Sequence, residues 1–212
     1  MREELRQAKR VIVKVGTSSL THANGRINID KMEVLVRQIC NLANAGKKMI
    51  LVSSGATAAG LPSLGFTSRP DDIALKQAAA SVGQGILLHM YEKLFAEYGH
   101  TVGQILVTRE DTVKRSHYLN LRNTLTALIG LGVIPIINEN DVVAIDEFKI
   151  GDNDTLSANI ASIIDADALI ILSDIEGLYT ANPSTDPTAT LIHEVEALTP
   201  YIYEISGGAG SS

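Results

Sequence analysis

A lysine stands in the middle of an apolar run. Arg10 opens the segment, and Val11 to Leu20 reads VIVKVGTSSL. The valine and isoleucine content is that of a buried parallel strand, with Lys14 inside it and Gly16-Thr17-Ser18-Ser19 directly after. An ammonium group is buried at a cost unless an anion meets it. Lys14 falls near the carboxyl end of the strand, where open α/β sheets bind ligands, and Gly16 leaves the backbone bare enough to touch a phosphate. The simpler reading is an edge-strand lysine that snorkels to water. A second segment of the same character, Ser53-Ser54-Gly55-Ala56-Thr57-Ala58-Ala59-Gly60, follows the apolar run Lys48 to Val52. Strand, small-residue loop and helix start in succession aim several backbone N–H groups at one spot, which suits an anion. The competing reading is that small residues only permit close helix-to-sheet packing. Two such loops in one chain favour the anion. Neither carries the Gly-Lys-Ser/Thr ending of a Walker motif.

Further polar groups occur where other apolar runs end. Val133 to Asn138 (VIPIIN) delivers Glu139-Asn140-Asp141 to a strand exit, and Ala168 to Leu172 (ALIIL) ends in Ser173-Asp174. Asp152-Asn153-Asp154 precedes a helix expected from Thr155 to about Ile164. Such residues commonly cap helices, but three in a row exceed what capping needs. Arg109, Lys114, Arg115 and His117 form either an anion-attracting rim or, by default, a solvated face. The five histidines show no paired ligand spacing, so no metal ligands are assigned.

These groups must be held by regular elements. Met32, Leu35, Val36, Ile39 and Leu42 recur at helical spacing from Asp30, with Gly46 placed as a C-terminal cap. Asp71 to Tyr98 predicts two helices or one kinked helix around Gly83. Thr101 to Thr108 is a third strand, Tyr118 to Gly132 a helix, Val142 to Ile150 a hairpin around Asp146-Glu147, and Ala168 to Leu172 a fifth buried strand. This alternation predicts an α/β fold, a three-layer αβα sandwich with a mainly parallel central sheet. No linker or break in composition divides residues 1–212, so one domain is expected.

The chain has 212 residues, 45% of them hydrophobic, enough for a large core. A net charge of -6 argues against a nucleic-acid partner or an anionic membrane surface. Cys40 is the only cysteine, which excludes an intrachain disulfide, and its apolar helix position suits a buried, inert thiol. The charged N-terminus is unlike a signal peptide, and no apolar run reaches the ~20 residues of a membrane span. A cytoplasmic location is expected.

Taken together, VIVKVGTSSLT (Val11 to Thr21), VSSGATAAG (Val52 to Gly60), INENDVVA (Ile137 to Ala144), GDNDTLSA (Gly151 to Ala158) and SDIEGLYTANP (Ser173 to Pro183) resemble the amino-acid kinase family, and more narrowly its glutamate-phosphorylating branch. The resemblance covers nearly the whole chain in order. It implies transfer of the ATP γ-phosphoryl group to the side-chain carboxylate of L-glutamate, giving glutamyl 5-phosphate for proline synthesis. It further implies that Lys14 contacts phosphate, that Ser54, Asp141 and Asn153 hold glutamate, that Asp154 orients Lys14, and that Ser173 and Asp174 lie in the nucleotide site. Mg²⁺ carried by the nucleotide, feedback inhibition by proline, and a homo-oligomer, dimer or tetramer, are implied as well.

The residues suit that chemistry independently. A glutamate carboxylate, with a pKa of about 4.3, is ionised at neutral pH and needs no general base. The difficulty is bringing an anion against a phosphate, which calls for cationic and N–H donors around the transferring group. Lys14 and the two loops supply donors, and Asp154 is the candidate counter-charge for the lysine. Asp141 and Asn153 suit an α-ammonium group, while Ser54 and neighbouring N–H groups suit an α-carboxylate. Family members continue past a Gly-Ser segment into a GTGGM stretch with a second phosphate-binding lysine, and often into a PUA domain. A polypeptide ending at Ser212 is expected to phosphorylate glutamate slowly or not at all. Two alternatives remain at this point: a non-catalytic amino-acid or proline sensor of the same fold, and a sibling such as a uridylate kinase.

Overall fold

The computed structural model describes residues 2–22, 24–144 and 152–206. The chain divides into two compact units, Met1–Leu172 and Ser173–Ser212.

The first unit opens with α1 (Arg2–Gln7), then β1 (Arg10–Val15) and the single turn α2 (Thr17–Leu20). The strand therefore stops five residues before the apolar run does. Gly16 breaks it, and Leu20 is carried into the core by a helical turn, 2% exposed. Next come α3 (Ile29–Asn44), β2 (Lys48–Ser53), α4 (Ala56–Gly60) and α5 (Ile73–Glu97). Asn28 caps α3 by accepting from Lys31 N–H, and Gly46, at φ 90°, follows its last turn as anticipated. The stretch expected as two helices or a kinked one is one helix of 25 residues. Then follow β3 (Val102–Val107), α6 (Arg109–Val113), α7 (Arg115–Gly130), β4 (Ile134–Glu139), α8 (Asn153–Ile163) and β5 (Ala168–Leu172). The hairpin expected over Val142 to Ile150 lies largely outside the described residues.

The five strands form one sheet in the order β3-β4-β2-β1-β5, with parallel pairs throughout. This is the expected three-layer sandwich. Odd-numbered positions of β1 and β2 (Val11, Val13, Val15, Met49, Leu51) pack with α3 and α5; even-numbered ones (Ile12, Ile50, Val52) pack with α7 and α8. Each fully buried side chain of this kind contributes about 2 kcal/mol of transfer free energy. Two consequences matter for function. Lys14 shares its face with Ile12 and so meets α8, whereas Ser53 shares its face with Leu51 and so meets α5. The edge-strand reading of Lys14 is overturned, because β1 pairs on both sides. On that side the edge strand is β5, and Ile170, Ile171 and Leu172 are 37 to 45% exposed, not buried as expected.

At the amino end of the sheet, Asp167 Oδ2 accepts from Lys9 N–H at 2.8 Å and Arg10 N–H at 2.7 Å. The Arg10 amide first, then that of Lys9, hold its carboxyl below the usual value of 3.8. A depressed carboxyl pKa contributes stability that is present above the unfolded value and is lost as pH falls through the folded one. The difference in melting temperature between the parent and Asp167→Ala should hold steady above about pH 4 and close below it; a gap independent of pH would rule the clasp out.

In the second unit Tyr179 and Leu191 form an antiparallel bridge, followed by α9 (Pro200–Ser206). Buried Cys40 behaves as expected, its thiol pushed up to about 11 by burial.

Candidate active site

The carboxyl ends of β1, β2 and β4 and the N-terminus of α8 converge. Lys14, 8% exposed, points its ammonium group at α8, where Asp154 Oδ1 lies 2.7 Å from Nζ. A Cβ added at Gly16 would fall 3.4 Å from that Nζ, so the glycine leaves room for the lysine head beside the first polar loop. Ser54 N–H donates to Val15 O at 3.1 Å, which ties the second polar loop to the first.

Asn153 closes the arrangement. Its Nδ2 donates to Ser54 Oγ at 2.7 Å and to Asn138 Oδ1 at 2.9 Å, while Glu139 N–H donates to the same Asn138 oxygen at 2.9 Å. One side chain thus joins the exits of β2 and β4. The three consecutive residues at the start of α8 divide three tasks. Asp152 is the cap, accepting from Thr155 N–H at 2.9 Å; Asn153 bridges the loops; Asp154 pairs with Lys14. The capping explanation therefore covers Asp152 alone, and α8 begins two residues earlier than expected because Asp152 caps it.

Beside this network lies a cleft of about 430 Å³, with Ser54, Gly55, Asn138, Glu139, Asp141 and Asn153 among its walls. Thr17 and Arg69 also line it. Glutamate-sized ligands fit such a volume. Buried Asn138 and Glu139, with Asp141 and Asp152, give it acceptors for a cation, while Arg69 and the N–H groups of the Ser54-Gly55 turn suit an anion. A zwitterion satisfies both. Among the described residues no three His, Cys, Asp or Glu side chains gather as a metal-ligand set.

The residues of the second loop divide between the cleft and a helix contact. Ser54, Gly55, Thr57 and Ala58 face the cleft. Gly60 serves packing instead, against α5 and not against the sheet: a Cβ there would meet Ala79 O at 1.9 Å, and one on Gly83 would meet Ala56 O at 1.6 Å. The helix behind the loop has five residues, too short for a large dipole, so any anion here would be met by individual N–H groups.

Of the sequence-derived candidates, Lys14, Ser54, Asn153 and Asp154 are linked by direct contacts, and Asp141 lies on the same cleft wall. Ser173 and Asp174 belong to the second unit, where Ser173 Oγ donates to Asp174 Oδ1 at 3.2 Å. In the basic cluster, Lys114 pairs with Glu110 at 3.3 Å and His117 Nδ1 lies 2.9 Å from Asp111 Oδ1. Burial raises the Asp111 carboxyl, but the hydrogen bonds from Thr108 and His117 outweigh it and hold the group below its ordinary value. The cluster is a capped helix junction on a solvated face. Sequence reasoning missed Asn138, Thr17 and Arg69. A polar residue ending an otherwise apolar strand was the available signal for Asn138; Arg69, in an irregular loop, offered none.

The amino acid kinase family matches residues 9–210. The chain belongs to that family. Among its amino acid kinase relatives, it is 53% identical to a glutamate 5-kinase of Moorella thermoacetica over 98% of this chain and 55% of that protein. It is 54% identical to a glutamate 5-kinase of Clostridium acetobutylicum, over 98% of this chain and 78% of that protein. A third, from Clostridium tetani, is 53% identical over 99% of this chain and 79% of that protein. The chain thus spans about half the length of the Moorella relative.

Proposed function

We propose that the chain carries out ATP-dependent phosphorylation of the side-chain carboxylate of L-glutamate, forming L-glutamyl 5-phosphate at the first step of proline synthesis. The observation that carries this reading is the Asn153 bridge from Ser54 to Asn138, set one residue from the Lys14–Asp154 pair. Amino-acid recognition and phosphate recognition are thereby adjacent. Relatives over 50% identical named glutamate 5-kinase support the choice of substrate.

In this scheme Asp141 and Asn153 orient the α-ammonium group, and Ser54 with the Gly55 N–H receives the α-carboxylate. Lys14, aimed by Asp154, neutralises charge between the attacking carboxylate and the transferring phosphoryl group. Ser173 and Asp174 contribute to the nucleotide side. Mg²⁺ would arrive on the ATP phosphates and offset their charge, needing few protein carboxylates of its own. Residues 1–212 are read as part of one kinase domain, working in the cytoplasm as a homo-oligomer and inhibited by proline.

The test is ATP-dependent formation of glutamyl hydroxamate by the full-length polypeptide, with ADP release measured alongside. Binding of glutamate without ADP release would indicate a sensor, and competition by UMP a sibling kinase. Asp141→Asn and Asn153→Ala should each raise the glutamate KM by about tenfold or more, the scale of a hydrogen bond to a charged group. An unchanged KM in both would remove the cleft from the mechanism.

A further inference from the structure

Ser53 and Tyr91 are buried polar residues for which the phosphoryl chemistry has no use. Tyr91, fully buried in α5, packs against Phe95 with ring centroids 6.3 Å apart and belongs to the core on the α3 and α5 face. Its hydroxyl lies 2.9 Å from Ser53 Oγ. Ser53 Oγ in turn donates to Ser54 O at 3.1 Å. A serine has one hydroxyl hydrogen, so once it is given to the carbonyl, the Ser53 oxygen must accept from Tyr91. The direction of the chain is thereby set: Tyr91 donates to Ser53, and Ser53 to the Ser54 carbonyl. Burial pushes the Tyr91 phenol well above its ordinary value, the Ser53 contact opposing this weakly, and the group stays a donor.

Phenylalanine and alanine would fill the same space without burying two hydroxyls. What the hydroxyls add is a fixed peptide plane. In a trans peptide the C=O and the following N–H point to opposite sides. Holding the Ser54 carbonyl toward Ser53 and the core turns Gly55 N–H away from the core. Gly55 lines the cleft, and among the described residues its N–H has no acceptor. Gly55 has φ +100°, and a glycine flanked by a rotatable peptide can flip unless something prevents it.

We propose that Tyr91 is a positioning residue that acts through Ser53 to lock the Ser54–Gly55 peptide with Gly55 N–H directed into the cleft, ready for the carboxylate of an amino-acid substrate. The proposal rests on the cleft being the glutamate site, and its test separates the two. In the full-length polypeptide, Tyr91→Phe and Ser53→Ala should each raise the glutamate KM about tenfold, the value of one charge-assisted hydrogen bond, with kcat and the ATP KM within about twofold of the parent. The double variant should lose no more than the worse single, because both changes break one chain. A parent-like glutamate KM in folded Tyr91→Phe, or single losses that multiply in the double variant, overturns the lock. Should Tyr91→Phe lose its cooperative thermal transition, Ser53→Ala is read by the same criteria. A parent that phosphorylates no glutamate overturns the substrate reading instead. The Gly55 amide resonance, compared between parent and variant by ¹⁵N NMR, then decides the lock, and an unmoved resonance overturns it.

Discussion

Lys14→Ala in the full-length polypeptide is expected to lower kcat for glutamyl phosphate formation by about two to three orders of magnitude, the effect of removing one donor aimed at developing charge. The physical reason is that both reactants are anions. Lys14 is held by Asp154 at 2.7 Å and stands beside Gly16. Lys14→Arg should recover little, since a planar guanidinium fork does not fit where a compact ammonium group is seated against a glycine. The fold should survive, because the Asp154 side chain is 43% exposed and, although the oxygen facing Lys14 is itself buried, water can enter the space the lysine side chain vacates. Measurement of kcat together with the thermal transition checks both statements. Parent-level turnover in the alanine variant would leave the phosphoryl-transfer scheme without its central cation.

Gly83→Ala is the second large effect expected, and it arises far from any reacting atom. The added methyl would stand 1.6 Å from Ala56 O and 2.6 Å from its carbonyl carbon. Both are backbone atoms, so no rotamer relieves the overlap and α4 must move off α5. Overpacking of this kind costs about 1–3 kcal/mol, or a fall in Tm of roughly 2–4 °C per kcal/mol for a chain of this size. Ala56 follows Gly55 directly, and displacement of α4 should also raise the glutamate KM by about tenfold, as loss of one substrate hydrogen bond would. Gly85→Ala supplies the control: it lies two residues on in the same helix, nothing stands within 4 Å of its added Cβ, and it should be neutral or stabilising by about 1 kcal/mol. Equal behaviour of the two variants would remove the close contact as a determinant of the site.

Much of this arrangement was legible before any coordinates. The lysine in an apolar strand, the Ser-Gly turn after the second strand and the acids after the fourth all mark strand exits, and in a parallel sheet strand exits share one edge. Where the reading failed, the cause was contact between distant segments. An apolar run does not say that Gly16 ends the strand and that Leu20 re-enters the core through a helical turn. Nor does it say that the fifth strand is an edge strand, since burial depends on what stands beside a strand and not on its own residues. The eight small residues from Ser53 to Gly60 admitted two explanations, and only the approach of α5 at Gly83 shows which of them pack against a helix and which line the cleft.

From the sequence alone followed the fold class, the run of the five strands and the lysine at a strand exit, because each depends on local periodicity or on residue type at a strand end; the pairing of that lysine with Asp154 joins residues far apart in the chain and was implied only by the family resemblance. Tertiary structure alone decided that Asn153 joins Ser54 to Asn138, and that Tyr91 reaches Ser53 from another layer. Hydrogen bonds between residues 15 to 99 positions apart leave no periodic trace in a chain. They exist only once packing has brought the sheet and its helices to a fixed distance.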